Sequence, residues 1–254
     1  MQDPFAYCAE LVRQADRDRF LAALFAPEHE RAALAALYAF NIEITRVRDV
    51  AREPLAGEIR LQWWSEVVAG DRGEEAAANP VAAALLAAMR RHELPAAALG
   101  GLIDAHRFDL YDDPMTDLAA LESYAAQTAS ALIALAARIL GVEAAAAAGP
   151  AGVAFGITGL LRAFPQHAAR GRLYLPQDLL ARHGVVLGEV FAGRSSAALD
   201  AALAELRGVA RRRIVAARES VLALPAPAIP AFLPVALVRP WLDRLERGAA
   251  FAPA

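Results

Sequence analysis

Residues 152–176 read GVAFGITGLLRAFPQHAARGRLYLP, and their reading decides the fold. Gly152 to Phe164 is apolar on nearly every side, as a helix is when it sits inside a protein. It carries three glycines, Gly152, Gly156 and Gly159, each costing roughly 1 kcal/mol in a helix interior. That cost suggests close approach of a second helix or of a ligand. The spacing predicts a helix that stops at Pro165, then a basic loop, then a strand-like or turn segment, RLYLP. Ala163 and His167 stand four residues apart, one helical turn, where metal-ligand pairs often sit. Arg162, Arg170 and Arg172 surround them and favour a phosphate or a carboxylate, including a carboxylate of the protein itself.

The rest of the chain has the same character. It has 254 residues, 57% hydrophobic, 22% charged and 7% aromatic, enough for one large core. Alanine and leucine dominate, and β-branched runs are scarce, so the prior is all-α. The net charge of −3 gives no bulk attraction for nucleic acid. Every basic side chain is arginine. The single cysteine, Cys8, excludes an internal disulfide, fits a reducing, cytoplasmic setting and reads as a small packing residue. The N-terminus lacks the apolar core of a secretory signal. No stretch is read as reaching the roughly 18 uncharged apolar residues of a membrane span, which leaves peripheral contact with an inner membrane open.

Helices are expected over Pro4–Gln14, from Pro27 through Asp49, over Leu55–Ala69, Val81–His92, Ala96–Tyr111 and Asp117–Leu140, and over Glu143–Phe164 with a break at Gly149-Pro150. Gln177–His183, Arg194–Leu224 and Phe232–Arg247 follow, and GDRGEEAAANP is read as a loop. No linker is long or polar enough to divide the chain, so residues 1–254 are read as one helical domain.

Three further places offer chemistry. In LYAFNIEITRVRDV, residues Tyr38, Asn41, Thr45, Arg48 and Asp49 fall on related helix faces. Such a polar stripe lines either a cavity or the solvent. Asp109, Asp112, Asp113 and Asp117 cluster around a helix stop, and capping by Thr116 or Asp117 is the favoured reading over ion binding. In RLQWWSEVV, adjacent Trp63 and Trp64 must point differently, one into the core and one to its edge. The run Arg211–Arg213 reads as part of an amphipathic helix, with contact to anionic lipid the lesser reading.

In this order, FLAALFAPEHERAALAALYAFNIEITRVRDV, RLQWWSEVV, LESYAAQTASALIALAARILG, GVAFGITGLLRAFPQHAARGRLYLP and AFLPVALVRPWLDRL resemble the squalene/phytoene synthase family from about Asp18 to Arg247. The resemblance implies an all-α isoprenoid-synthase-like bundle around a central cavity. It also implies head-to-head joining of two prenyl diphosphates, helped by Mg²⁺ held on two D-x-x-x-D motifs, because carboxylates four apart share a helix face. Here the first motif falls on Thr45 and Asp49, and the second on Ala163 and His167. Three of four aspartates are replaced. Alanine offers no ligand, and imidazole suits Mg²⁺ poorly. The anion-binding surroundings, Arg162, Arg170, Arg172 and Tyr174, match the family.

The motif forms look like the degenerate branch that includes the mitochondrial complex I assembly factor and its alphaproteobacterial relatives. That resemblance implies a pseudoenzyme acting in respiratory complex I assembly, with respiratory-complex subunits as partners, or binding a prenyl lipid or prenyl diphosphate. Tyr38, Asn41, Arg48, Asp49, Arg162, Arg170, Arg172 and Tyr174 are the expected ligand-binding set. No cofactor or metal is expected. The alternative is a Mg²⁺-dependent prenyltransferase using a displaced acidic set, with Asp104, Asp109, Asp112 and Asp113 as the replacements.

Overall fold

The computed structural model describes residues 3–51 and 53–251. In chain order the α-helices are α1 (Pro4–Ala15), α2 (Arg17–Ala23), α3 (Glu28–Thr45), α4 (Val47–Val50), α5 (Pro54–Ala69), α6 (Gly73–Ala78), α7 (Pro80–His92) and α8 (Ala96–Arg107). Then come α9 (Leu118–Ala125), α10 (Ala131–Ile139), α11 (Ala145–Ala169), α12 (Gln177–Arg182), α13 (Leu187–Phe191), α14 (Ala197–Leu222), α15 (Ile229–Phe232) and α16 (Val238–Arg247). Among the described residues there is no strand. The all-α expectation holds.

The chain forms two compact units. One comprises residues 1–111, 131–145 and 224–234; the other comprises 112–130, 146–223 and 235–254. In the first unit α3 is the central element, packed on α1, α2, α7, α8 and α10. Its run from Ala33 to Phe40 is buried without interruption. Trp64 is buried edge-on against Phe40, ring centroids 5.2 Å apart, while half-buried Trp63 donates its indole N–H to Glu75 at 3.0 Å. One tryptophan is core and its neighbour core-edge, as adjacency requires. Cys8 is fully buried, and burial pushes its thiol up to about 12, which suits packing rather than nucleophilic chemistry.

In the second unit α11 is the spine. The expected breaks at Gly149-Pro150 and at Pro165 do not occur, and both prolines lie inside the helix. A proline there removes one backbone hydrogen bond. The buried residues Ala147, Ala151, Ala154, Ile157, Leu161, Phe164 and Ala168 run at spacings of three and four straight past both. Burial of that stripe outweighs the loss. The long helix expected over Asp117–Leu140 is helical throughout, but a π-turn, Ala126–Ser130, separates α9 from α10. Asp117 caps it, accepting from Ala120 N–H at 2.8 Å.

Other expectations fail locally. The segment read as a loop contains α6, whose first turn carries Glu74 and Glu75 and whose Ala76 is fully buried. RLYLP is extended but joins no sheet; beyond it, Gln177 and Asp178 donate backbone N–H groups to Met115 and Thr116 carbonyls. By length and composition alone, the helical stretches Leu118–Ile139 and Ala145–Ala169 are apolar enough to cross a membrane, against the expectation of none. Buried core helices meet the same criterion.

The three glycines of α11 differ in environment. A Cβ on Gly152 would collide with the Ser130 backbone, and one on Gly156 would come within 2.9 Å of the Ala125 Cβ, whereas one on Gly159 meets nothing within 4 Å. Gly152→Ala is therefore expected to lower unfolding free energy by about 1–3 kcal/mol, and Gly159→Ala to raise it by up to about 1 kcal/mol. Chemical denaturation of the two variants checks both signs.

Candidate functional site

The first motif segment sits at the end of α3. Its polar stripe runs from core to solvent: Tyr38 is buried, Asn41 and Arg48 are half-buried, and Thr45 and Asp49 are exposed. The helix expected to continue through Asp49 ends at Thr45, and Asp49 lies on the separate single turn α4. The Thr45 hydroxyl donates to the Ile42 carbonyl at 3.1 Å, the back-bond threonine makes at a helix end. The Arg19 guanidinium lies 5.8 Å from the Tyr38 ring centroid and is ion-paired to Asp16 at 2.5 Å.

The second motif segment is the C-terminal part of α11. Ala163 and His167 are half-buried, one turn apart. The His167 ring lies 4.7 Å from that of Tyr174, which in turn lies 5.9 Å from Tyr124. The helix closes on itself here: Arg170 and Arg172 both donate backbone N–H groups to the His167 carbonyl, with Gly171 left-handed between them at φ +72°. Arg162 rests on the Trp241 ring, its guanidinium carbon 3.7 Å from the centroid. Phe155, two turns earlier on α11, approaches the same ring at 5.9 Å. The first unit thus holds Tyr38, Asn41, Thr45, Arg48 and Asp49, and the second holds Ala163, His167, Arg162, Arg170, Arg172 and Tyr174.

These donors do not suit the Mg²⁺ pair that the fold family implies. One carboxylate remains, on its own turn. The hydroxyl is engaged with backbone, one position is alanine, and the imidazole lies tilted against a phenol ring. Mg²⁺ requires near-octahedral oxygen ligation. Among the described residues, no three His, Cys, Asp or Glu side chains are grouped so as to hold a metal ion. The displaced acidic set does not gather either. Asp104 accepts from Arg107 at 3.1 Å, Asp109 is bonded to His106 Nδ1 at 2.7 Å, and Asp112 and Asp113 are exposed. Arg211 and Arg213 of the basic run are bonded to acids, Arg211 to Asp243 and Glu246 and Arg213 to Glu122.

The squalene/phytoene synthase profile matches residues 12–251, across both units. The chain belongs to the squalene/phytoene synthase family. Within it, NADH dehydrogenase (ubiquinone) complex I, assembly factor 6, of Homo sapiens is 32% identical over 244 residues, covering 95% of this chain and 73% of the relative. Its homolog in Drosophila melanogaster is 26% identical over 257 residues, with 95% and 75% covered. A phytoene synthase of Mycobacterium tuberculosis is 30% identical over 190 residues, 74% of this chain and 62% of that enzyme. Among solved structures, a squalene synthase from Alicyclobacillus acidocaldarius superposes with a TM-score of 0.82 at 22% identity, covering 96% of this chain and 93% of that one. A dehydrosqualene synthase superposes at 0.83 and 18%, covering 98% and 89%. This squalene/phytoene synthase family member therefore has the isoprenoid synthase fold.

Sequence reasoning missed Trp241 and Tyr124 as members of the second-motif environment, although both lie in segments that carry the resemblance. Trp241 follows Val238 by three residues and precedes Leu242 and Leu245 on the amphipathic α16. That periodicity was the available signal.

Tyr38 gives a direct test of the first segment. Burial pushes its phenol up to about 12 from the ordinary 10.0. The folded value is raised, so the neutral phenol's contribution is complete below pH 10 and disappears as pH rises from 10 towards 12. Phenolate absorbance should show one of the five tyrosines ionising only near pH 12, and Tyr38→Phe should remove that step.

Proposed function

We propose that this family member does not transfer prenyl groups and instead serves the assembly of respiratory complex I, in the cytoplasm or peripherally at the inner membrane. One observation carries the reading. Three of the four positions at which the resemblance places Mg²⁺-ligating aspartates are Thr45, Ala163 and His167. Ionising an allylic diphosphate needs the leaving pyrophosphate's charge neutralised. The arginines at 162, 170 and 172 supply positive charge but not the bridging metal. Relatives named as assembly factor 6, matched over nearly the whole chain, support the biological half of the reading.

The retained arginines with Tyr174 give the protein a means of holding a prenyl lipid phosphate without turning it over. Tyr38, Asn41, Arg48 and Asp49, the other residues expected to bind ligand, belong to the first unit. The competing reading, a Mg²⁺-dependent prenyltransferase, is favoured by the 30% identity to a phytoene synthase.

Calorimetric titration of farnesyl and geranylgeranyl diphosphate into the protein, with and without Mg²⁺ and with assay for pyrophosphate, separates the two. Binding of equal strength with and without metal and no pyrophosphate is expected. Metal-dependent binding with pyrophosphate release would establish the transferase. For the assembly role, native gels of membranes from cells deleted for this chain should show depleted NADH:ubiquinone oxidoreductase. An unchanged complex would sink that part.

A further inference from the structure

Beside the second motif segment, the second unit contains a cavity of about 240 Å³. Leu161 of α11, Asp200, Leu203 and Arg207 of α14, and Leu245 and Glu246 of α16 line it, together with Gly248–Ala250. Positions 200, 203 and 207 fall on one face of α14, so the helix presents an acid, an aliphatic chain and a guanidinium to the same space. The walls are mostly leucine and alanine. All lining residues belong to one compact unit.

Arg207 is the unusual member. It is half-buried, and among the described residues its side chain makes no hydrogen bond or ion pair. Arg211, one turn further along α14, binds Asp243 and Glu246 at 2.8 Å each, and Arg182 binds Glu205 at 3.1 Å. Burial pulls the Arg207 guanidinium below its ordinary value, with Glu246 and Asp200 acting on it only through space. Keeping a desolvated cation without a partner is costly. A planar fork of donors beside the Leu161, Leu203 and Leu245 side chains matches a carboxylate bearing a short hydrocarbon tail.

The other charges select among anions. Glu246 is held by Arg211, and Asp200 lines the same space. A phosphate dianion would meet both carboxylates. A monoanion would not carry that second charge. The volume falls below the range of about 300–1,000 Å³ typical of drug-sized ligands, so the guest is small.

We propose that the cavity between α11, α14 and α16 is a binding site for a small aliphatic monocarboxylate, with Arg207 pairing to its carboxylate and Leu161, Leu203, Leu245 and Ala249 enclosing its tail. The site is independent of the assembly reading.

Sodium hexanoate is the probe, with 1-hexanol and inorganic phosphate as controls, followed on the full chain by methyl NMR of Leu203, Ala249 and Ala250. Hexanoate should give saturable shifts at these methyls, while hexanol and phosphate bind at least about tenfold more weakly. Arg207→Gln should weaken hexanoate by about tenfold or more, and Arg207→Lys should restore part of it. Ala249→Phe, which fills the cavity and leaves Arg207 in place, should abolish the shifts and serves if Arg207→Gln does not fold. Absence of saturation, equal binding to Arg207→Gln, or phosphate binding as strongly as hexanoate would each overturn the assignment.

Discussion

The close packing of α11 is the constraint on which the second unit depends. Gly152 lies so near Ser130 that no side chain fits between them, and the Ser130 hydroxyl donates to the Gly149 carbonyl at 2.8 Å. Backbone meets backbone, fastened by a hydrogen bond made inside a low-dielectric core, where it is electrostatically stronger than in water. The contact falls where the π-turn Ala126–Ser130 widens the partner helix. Such turns insert one extra residue and commonly mark functional sites. Here the turn ends on the residue that the glycine accommodates. The unusual backbone of one helix and the unusual composition of the other are two sides of one interface.

α11 continues through two prolines, and this sets the register of everything after it. Residues 166 and 167 stay in the helix because Pro165 does not end it, so His167 is delivered to Tyr174, while Arg162, earlier on the helix, rests on Trp241. A guanidinium over an indole contributes on the order of 0.5–2 kcal/mol depending on its desolvation, and aromatic pairs contribute a similar amount. Where the family resemblance places charge bridged by metal, this chain places aromatic surface. The substitution leaves the helices in place, since a TM-score of 0.82 to a squalene synthase survives 22% identity, while it changes the chemistry they present.

The sequence made the helices legible wherever apolar periodicity ran long and ended in glycine, as at Gly70 and Gly141, both left-handed with φ +92° and +76°. Proline was overread. The expected breaks at Pro150 and Pro165 ignored a buried stripe that spans both, and tertiary burial overrides local propensity. Short helices escaped for the opposite reason. α2, α6 and α13 have seven, six and five residues, too few turns for a period to show. The π-turn left no signal, because its residues AQTAS read as ordinary helix. At the site, the identity of each residue was readable but its posture was not. Thr45 turns its hydroxyl back onto its own helix and Asp49 sits beyond the end of α3, details fixed by where the helix stops rather than by residue type.

Arginine behaviour separates structural charge from charge with another use. Arg72 is anchored by Glu66 and Glu75, Arg107 by Glu58 and Asp104, and Arg213 by Glu122. Exposed pairs of this kind contribute about 0.2–1 kcal/mol each, so their value lies in fixing where long side chains rest rather than in stability. Every basic residue other than histidine is an arginine, and its planar fork matches a carboxylate where one is in reach. Arg207 is half-buried and, among the described residues, makes no such pair, although Asp200 and Glu246 line the same hollow, and Glu246 is bonded to Arg211. A half-buried guanidinium without an ion pair, set beside leucine side chains, is the arrangement a small organic acid would satisfy.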